Sequence, residues 1–134
     1  AAAGHDVRIT GGPAERDLAA AVARGAGLDD GAVLAGRTST LELAATVAAA
    51  SVVVSGDTGV AHLATAYRRP SVVLFGPVSP ALWGPPPRVG PGGGALHVVL
   101  WHGDGTGDPW ATELDPALAR IPVDEVLQAL EQVL

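Results

Sequence analysis

A chain of 134 residues holds material for one domain with a real core and little more. Its hydrophobic fraction of 48% is ordinary, but only 4% is aromatic, so Ala, Val and Leu must build that core. A net charge of −6 argues against nucleic acid or an anionic membrane as the main partner, and the absence of cysteine removes disulfides, thiolate metal sites and thiol catalysis together.

Ala1 to Ala3 with Gly4 reads as the end of a helix closed by its glycine cap. Asp6 to Thr10 is a strand candidate, turned by Gly11-Gly12-Pro13 with Pro13 suited to a first helical position. Leu18 and Val22 supply the apolar side of a helix ending near Gly25 or Gly27, and Val33 to Ala35 is a second strand. Ser39-Thr40-Leu41-Glu42 fits a capping box, predicting a helix to about Ala49.

Val52 to Val54 reads as a strand buried on both faces, and it ends in Ser55-Gly56-Asp57-Thr58-Gly59. Val60, Leu63, Ala64 and Tyr67 then recur at helical spacing. Ser71 to Phe75 is another buried strand, stopped by Gly76-Pro77. Ser79-Pro80 caps a single helical turn, Trp83 to Pro87 is irregular, and Pro91 to Gly94 is a flexible tip. Ala95 to Trp101 is the final strand, and residues 102–120 show no period and read as loop. Val123, Val126, Leu127, Leu130 and Leu134 mark an amphipathic C-terminal helix with Asp124 and Glu125 in its first turn. Alternation of strands and helices implies an α/β fold, a parallel sheet with right-handed crossovers.

The strand–turn–helix stretch from Val52 to Leu63 organises the rest. Unpaired backbone N–H groups and the positive end of a helix dipole converge at such a corner, and Gly59 leaves room for an anion to approach. All eight basic residues are arginines, so a Walker A loop, a Schiff-base enzyme and a phospho-acceptor receiver domain are excluded or disfavoured. The chain contains no methionine, so Ala1 is not a translational start and a fragment is expected. No apolar run approaches the roughly 18 residues of a membrane span and no signal peptide is visible, which leads to a cytoplasmic expectation, with the inner membrane face as a peripheral location.

Asp57-Thr58-Gly59, His62, Leu74-Phe75-Gly76-Pro77 and Trp83-Gly84-Pro85 form an ordered set that resembles glycosyltransferase family 9, the heptosyltransferase family. Gly11-Gly12-Pro13 with Glu15, and Gly36-Arg37-Thr38-Ser39, fit upstream, so the resemblance covers about residues 4–87 and resumes weakly in the last helix. It implies the C-terminal half of a GT-B glycosyltransferase: a single Rossmann-like nucleotide-sugar-binding domain over residues 1–134, lacking the N-terminal acceptor domain that carries the catalytic base. It also implies that the first strand of this domain is absent, which would leave the sheet without a central strand and the chain alone inactive. The implied partners are a nucleotide-diphosphate sugar and, through the missing domain, a glycan or lipid-linked acceptor. No cofactor and no metal are implied, in keeping with the lack of an Asp-x-Asp motif. The glycine-rich tip and residues 102–120 have no counterpart in the family pattern.

By resemblance Asp57 and Thr58 sit at the donor's phosphate and sugar, with the Thr58, Gly59 and Val60 amides receiving a phosphate oxygen; a plain helix cap explains the same residues. His62 lies one turn further on and faces the same mouth, or is simply a solvated histidine. Glu15 aligns with an acidic contact to the ribose, though a first-turn glutamate needs no ligand. Gly11 and Gly12 let backbone approach the nucleotide or merely turn the chain. Thr38 and Ser39 line the base pocket, or Ser39 only caps a helix; Arg37 offsets phosphate charge or stays solvated. Trp83 covers the donor or packs under its loop, the usual fate of a large aromatic. Two rival readings stay open, a nucleotide-sugar 2-epimerase of the same architecture and a non-catalytic nucleotide-binding module.

Overall fold

The computed structural model describes residues 4–134, so the helix end expected at Ala1 to Ala3 lies outside the described residues; Gly4 itself has a positive φ of 80°. The chain divides into two units, with the boundary between Ala45 and Thr46.

In the first unit, the two expected strands shrink to a single parallel bridge between Ile9 and Val33. Ile9 N–H donates to Ala32 O and Leu34 N–H to Ile9 O, both at 2.8 Å. Gly11-Gly12 ends one segment, and the 3₁₀ turn Asp30–Ala32 precedes the other. With no further strand beside either among the described residues, one row of bonds is all that holds them extended.

After the turn Pro13–Glu15 comes helix α1, Arg16–Gly25. Its packed side is not the expected Leu18 and Val22, which are exposed, but Ala19 and Ala23, buried against Ile9, Leu28, Val33 and Ala35. Methyl side chains let the helix backbone come close to the Ile9–Val33 pair, which a Leu ridge would hold away. Helix α2, Thr40–Ala49, opens on the predicted capping box: Glu42 Oε2 accepts from Ser39 N–H at 2.7 Å, and Glu42 N–H donates to Ser39 Oγ at 3.3 Å.

The second unit is built on a three-stranded parallel sheet in the order β1-β2-β3, comprising Val53–Gly56, Ser71–Phe75 and His97–Trp101. Helix α3, Gly59–Ala66, crosses from β1 to β2, and its Ala61 packs with Val73 and Phe75 on one face. Helix α6, Val123–Val133, covers the other face, where Ala129 is buried with Val72 and Leu100. Its core side is therefore Val126, Ala129, Leu130 and Val133, rotated from the predicted stripe, and Val123, Leu127 and Leu134 are exposed. As in α1, an alanine marks the line of closest approach. Only β2 is covered as a buried parallel strand should be. Val54 of β1, expected to be buried, is 46% exposed, because β1 lies at the sheet edge and α6 packs on β2 and β3.

Between β2 and β3, α4 (Pro80–Trp83) is the expected single turn, with Ser79 Oγ accepting from Ala81 N–H at 3.3 Å. The tip at 91–94 is closed by a Val89–Ala95 antiparallel bridge and a 2.8 Å bond from Gly90 N–H to Gly94 O. Residues 102–120 are not wholly loop: Asp115 caps a short helix α5, Pro116–Ala119, through Ala117 N–H at 2.8 Å.

Candidate functional site

The corner between β1 and α3 forms as the sequence predicts: strand to Gly56, helix from Gly59, with Thr58 extended at the N-cap position. Thr58 makes no side-chain cap hydrogen bond, so the cap explanation of this residue lacks its defining contact. Asp57, Thr58 and Gly59 are exposed and Val60 is half-buried. The first turn closes through Ala61 N–H donating to Thr58 O at 3.0 Å, which leaves the Gly59 and Val60 amides at the helix start without an intrahelical acceptor. A Cβ placed on Gly59 meets nothing within 4 Å, so among the described residues the space directly over Gly59 is open. Amides, dipole and open approach together favour a bound anion. His62, exposed, lies on the first turn of the same helix.

The candidates of the first unit fall into two turns. Parallel pairing of Ile9 with Val33 puts Gly11, Gly12 and Glu15 at the same end as Arg37, Thr38 and Ser39, and Gly36 N–H bonds Gly11 O at 2.9 Å between them. This is the carboxyl end of both segments, the side on which open parallel α/β sheets take ligands. Glu15 Oε2 accepts from Gly12 N–H at 2.6 Å, so one carboxylate oxygen is already engaged locally. Arg37 is exposed and reaches Asp30 O at 3.4 Å. The Ser39 hydroxyl donates to Glu42 Oε2 at 2.7 Å, and these bonds hold the Glu42 carboxyl below its ordinary range.

Sequence reasoning missed a polar cavity of about 170 Å³ at the carboxyl ends of β2 and β3, lined among others by Gly76, Asp104, Thr106, Asp115 and Arg120. Thr106 donates to Asp104 Oδ1 from both hydroxyl and amide, at 2.6 and 3.0 Å, which lowers the carboxyl's pKa. The available signal was the Gly-Asp-Gly-Thr-Gly run from Gly103 to Gly107, which has no period but many turn formers. One expectation is corrected here: of the two readings of Trp83, packing under its loop fails, because the ring is exposed. His102 Nε2 lies 2.7 Å from Glu125 Oε2 where β3 and α6 meet, a contact that no spacing in the sequence announces. Among the described residues, no three His, Asp or Glu side chains gather to hold a metal ion.

The chain is similar to known proteins throughout its length. Lipopolysaccharide heptosyltransferase 3 of Escherichia coli (strain K12) is 31% identical over 136 residues, covering 98% of this chain and 38% of the relative. Lipopolysaccharide heptosyltransferase 1 of Pseudomonas aeruginosa is 43% identical over 82 residues, 60% of this chain and 22% of that protein. The solved structure of the E. coli ADP-heptose LPS heptosyltransferase II superposes with a TM-score of 0.73 at 24% identity, covering 98% of this chain and 37% of the other, and so shares the Rossmann-like α/β fold. The 134 residues thus span well under half the length of these relatives. The model of glycosyltransferase family 9 (heptosyltransferase) matches residues 1–89, and with that match over more than half of its length the chain belongs to this family.

Proposed function

We propose that this chain is the donor-binding half of a heptosyltransferase-like glycosyltransferase, taking a nucleotide-diphosphate sugar and serving transfer to a glycan or lipid-linked acceptor. The observation that carries the reading is the open N-terminus of α3, where no side chain caps the helix and Gly59 stands clear at the carboxyl end of β1. The Gly59 and Val60 amides hold a phosphate oxygen of the donor, and Asp57 accepts from a donor hydroxyl.

An acceptor hydroxyl attacks the anomeric carbon as the bond to the diphosphate oxygen breaks, with inversion. Charge on the leaving diphosphate rises through this step, so amides already aimed at it bind the transition state better than the ground state. The proton of the attacking hydroxyl goes to a base outside these residues, and the chain alone transfers nothing. Glu15 supports ribose binding, with Gly11 and Gly12 allowing close approach, Thr38 and Ser39 line the nucleobase pocket, and Arg37 offsets phosphate charge. The reaction takes place on the cytoplasmic side.

Asp57→Ala in the intact protein tests this. Donor affinity and turnover should both fall, and unchanged values for both reject the reading. Titration of the intact protein with ADP, UDP and GDP, followed by tryptophan fluorescence, identifies the base.

A further inference from the structure

Opposite charges share the cavity at the carboxyl ends of β2 and β3 without meeting. Asp104, Asp115 and Arg120 all line its space of about 170 Å³, yet among the described residues Arg120 forms no ion pair with either carboxylate. Arg120 still lies near enough for its charge to help lower the Asp104 pKa, after the larger effect of the two bonds from Thr106.

Each group is held back by a bond to the backbone. Arg120 Nη2 donates to His102 O at 2.8 Å, Asp115 Oδ1 accepts from Ala117 N–H at 2.8 Å, and Asp104 Oδ1 accepts from Thr106 N–H at 3.0 Å. Those bonds leave the second oxygen of each carboxylate and the remaining guanidinium N–H groups to a ligand. Asp115 Oδ2 is turned to the Gly107 wall of the cavity, where an added Cβ would stand 2.8 Å from it.

The space is too large for a single structural water, whose share of volume is about 30 Å³. Carboxylates outnumber the guanidinium, so phosphate and other anions are repelled. Among the described residues no third His, Asp or Glu joins Asp104 and Asp115 to hold a metal ion. Acceptors and donors lining one space suit a group that both donates and accepts, which is what adjacent hydroxyls do. The segment between Gly107 and Asp115 adds Trp110, which is 88% exposed and, by chain length, within about 11 Å of the Gly107 Cα. Its indole face matches the C–H face of a sugar ring.

We propose that this cavity takes the hydroxyl edge of one neutral sugar ring, its hydroxyls donating to Asp104 and Asp115 and accepting from Arg120. Either reactant of the proposed transferase supplies such a ring, and the identity of the ligand rests on that reading. Strand β1, which leads into the Asp57 to Gly59 corner, pairs with β2 about 5 Å away, so both places open at the same end of one sheet. Residues 103–120 lie beyond the 1–89 family match, so what the cavity selects is set by residues outside that match.

Amide NMR on the intact protein tests this. The probes are methyl glucoside and methyl mannoside as free sugars, ADP-glucose, UDP-glucose and GDP-mannose as linked sugars, and inorganic phosphate as the anion. At least one sugar should shift the Gly103, Thr106 and Gly107 amides saturably below about 100 mM, and Asp104→Asn and Arg120→Gln should each weaken it about tenfold. Asn keeps an Oδ1 for the Thr106 bonds, so the first variant decides alone if the second does not fold. Shifts with the methyl glycosides assign the ring to the acceptor. Shifts with linked sugars alone, absent with bare ADP, UDP and GDP, assign it to the donor. Phosphate shifting these amides, no sugar shifting them, or equal affinity in Asp104→Asn overturns the proposal. Bare diphosphate binding is read separately at the Gly59 and Val60 amides, so failure of the cavity and failure of the proposed function are told apart.

Discussion

The indole Nε1–H of Trp101 donates a 3.0 Å hydrogen bond to the carbonyl of Gly76, tying the end of β3 to the turn that leaves β2. The ring packs with Ala61, Val73 and Phe75, so one residue braces α3, the sheet and that turn together. Trp101→Phe keeps most of the packing and loses the donor, and should cost about 1 kcal/mol in chemical denaturation. Gly103→Ala should cost more, about 1–3 kcal/mol, since its Cβ would collide with the Trp101 indole and press on Gly76 O at 3.0 Å.

Arg68 ends α3 in the left-handed region, with φ at 54°. Arg69 N–H bonds Ala64 O at 2.8 Å and Arg68 N–H bonds Thr65 O at 3.2 Å, the Schellman pattern that favours glycine at this position. Arg68→Gly should therefore stabilise the protein by about 0.5–1 kcal/mol, read as a higher denaturation midpoint.

His97 Nδ1 lies 2.8 Å from Ser71 Oγ, and Ser71 is buried. Burial first, and the Arg88 charge second, lower the His97 pKa below its ordinary value of 6.5. The folded state thus prefers neutral imidazole, while the unfolded chain takes the proton near 6.5. This contribution to stability is complete above that pH and is lost as pH falls through the lowered folded pKa. Denaturation midpoints from pH 7.5 down to 5 should fall more steeply for the wild type than for His97→Gln.

Gly59→Ala separates stability from binding. A Cβ at this position meets nothing, so the fold should be unchanged or firmer by about 0.5 kcal/mol from helix propensity. The same methyl group stands where the donor phosphate is proposed to lie, so donor affinity of the intact protein should drop about tenfold, equivalent to about 1.4 kcal/mol. Isothermal titration alongside thermal unfolding checks both; equal affinity would place the diphosphate elsewhere.

Strands β2 and β3, the capping box at Ser39 and the corner at Asp57 to Gly59 were legible because each rests on local chemistry. Runs of β-branched residues, a Ser with Glu three places on, and a glycine-bearing turn act over a few residues. The faces of α1 and α6 were misread for one shared reason. In a core this poor in aromatics, Ala23 and Ala129 pack against strands more closely than Leu18 or Leu127 can, and periodicity weights the larger residues. The cavity by Asp104 and the His102–Glu125 contact join residues far apart in sequence, so no spacing rule reaches them.

Taken alone, the sequence determined an α/β chain with parallel strands, a family, and a strand–turn–helix corner at Asp57 to Gly59, since motif order and hydrophobic period are properties of neighbouring residues. Only the tertiary structure decided which of the described strands lies at the sheet edge, which helix faces are covered, and that the space directly over Gly59 is open among the described residues. Those depend on what packs from a distance: burial is set by the elements that arrive from elsewhere in the chain, and a strand such as Val53–Gly56 carries no local sign of whether its outer row of amides is paired.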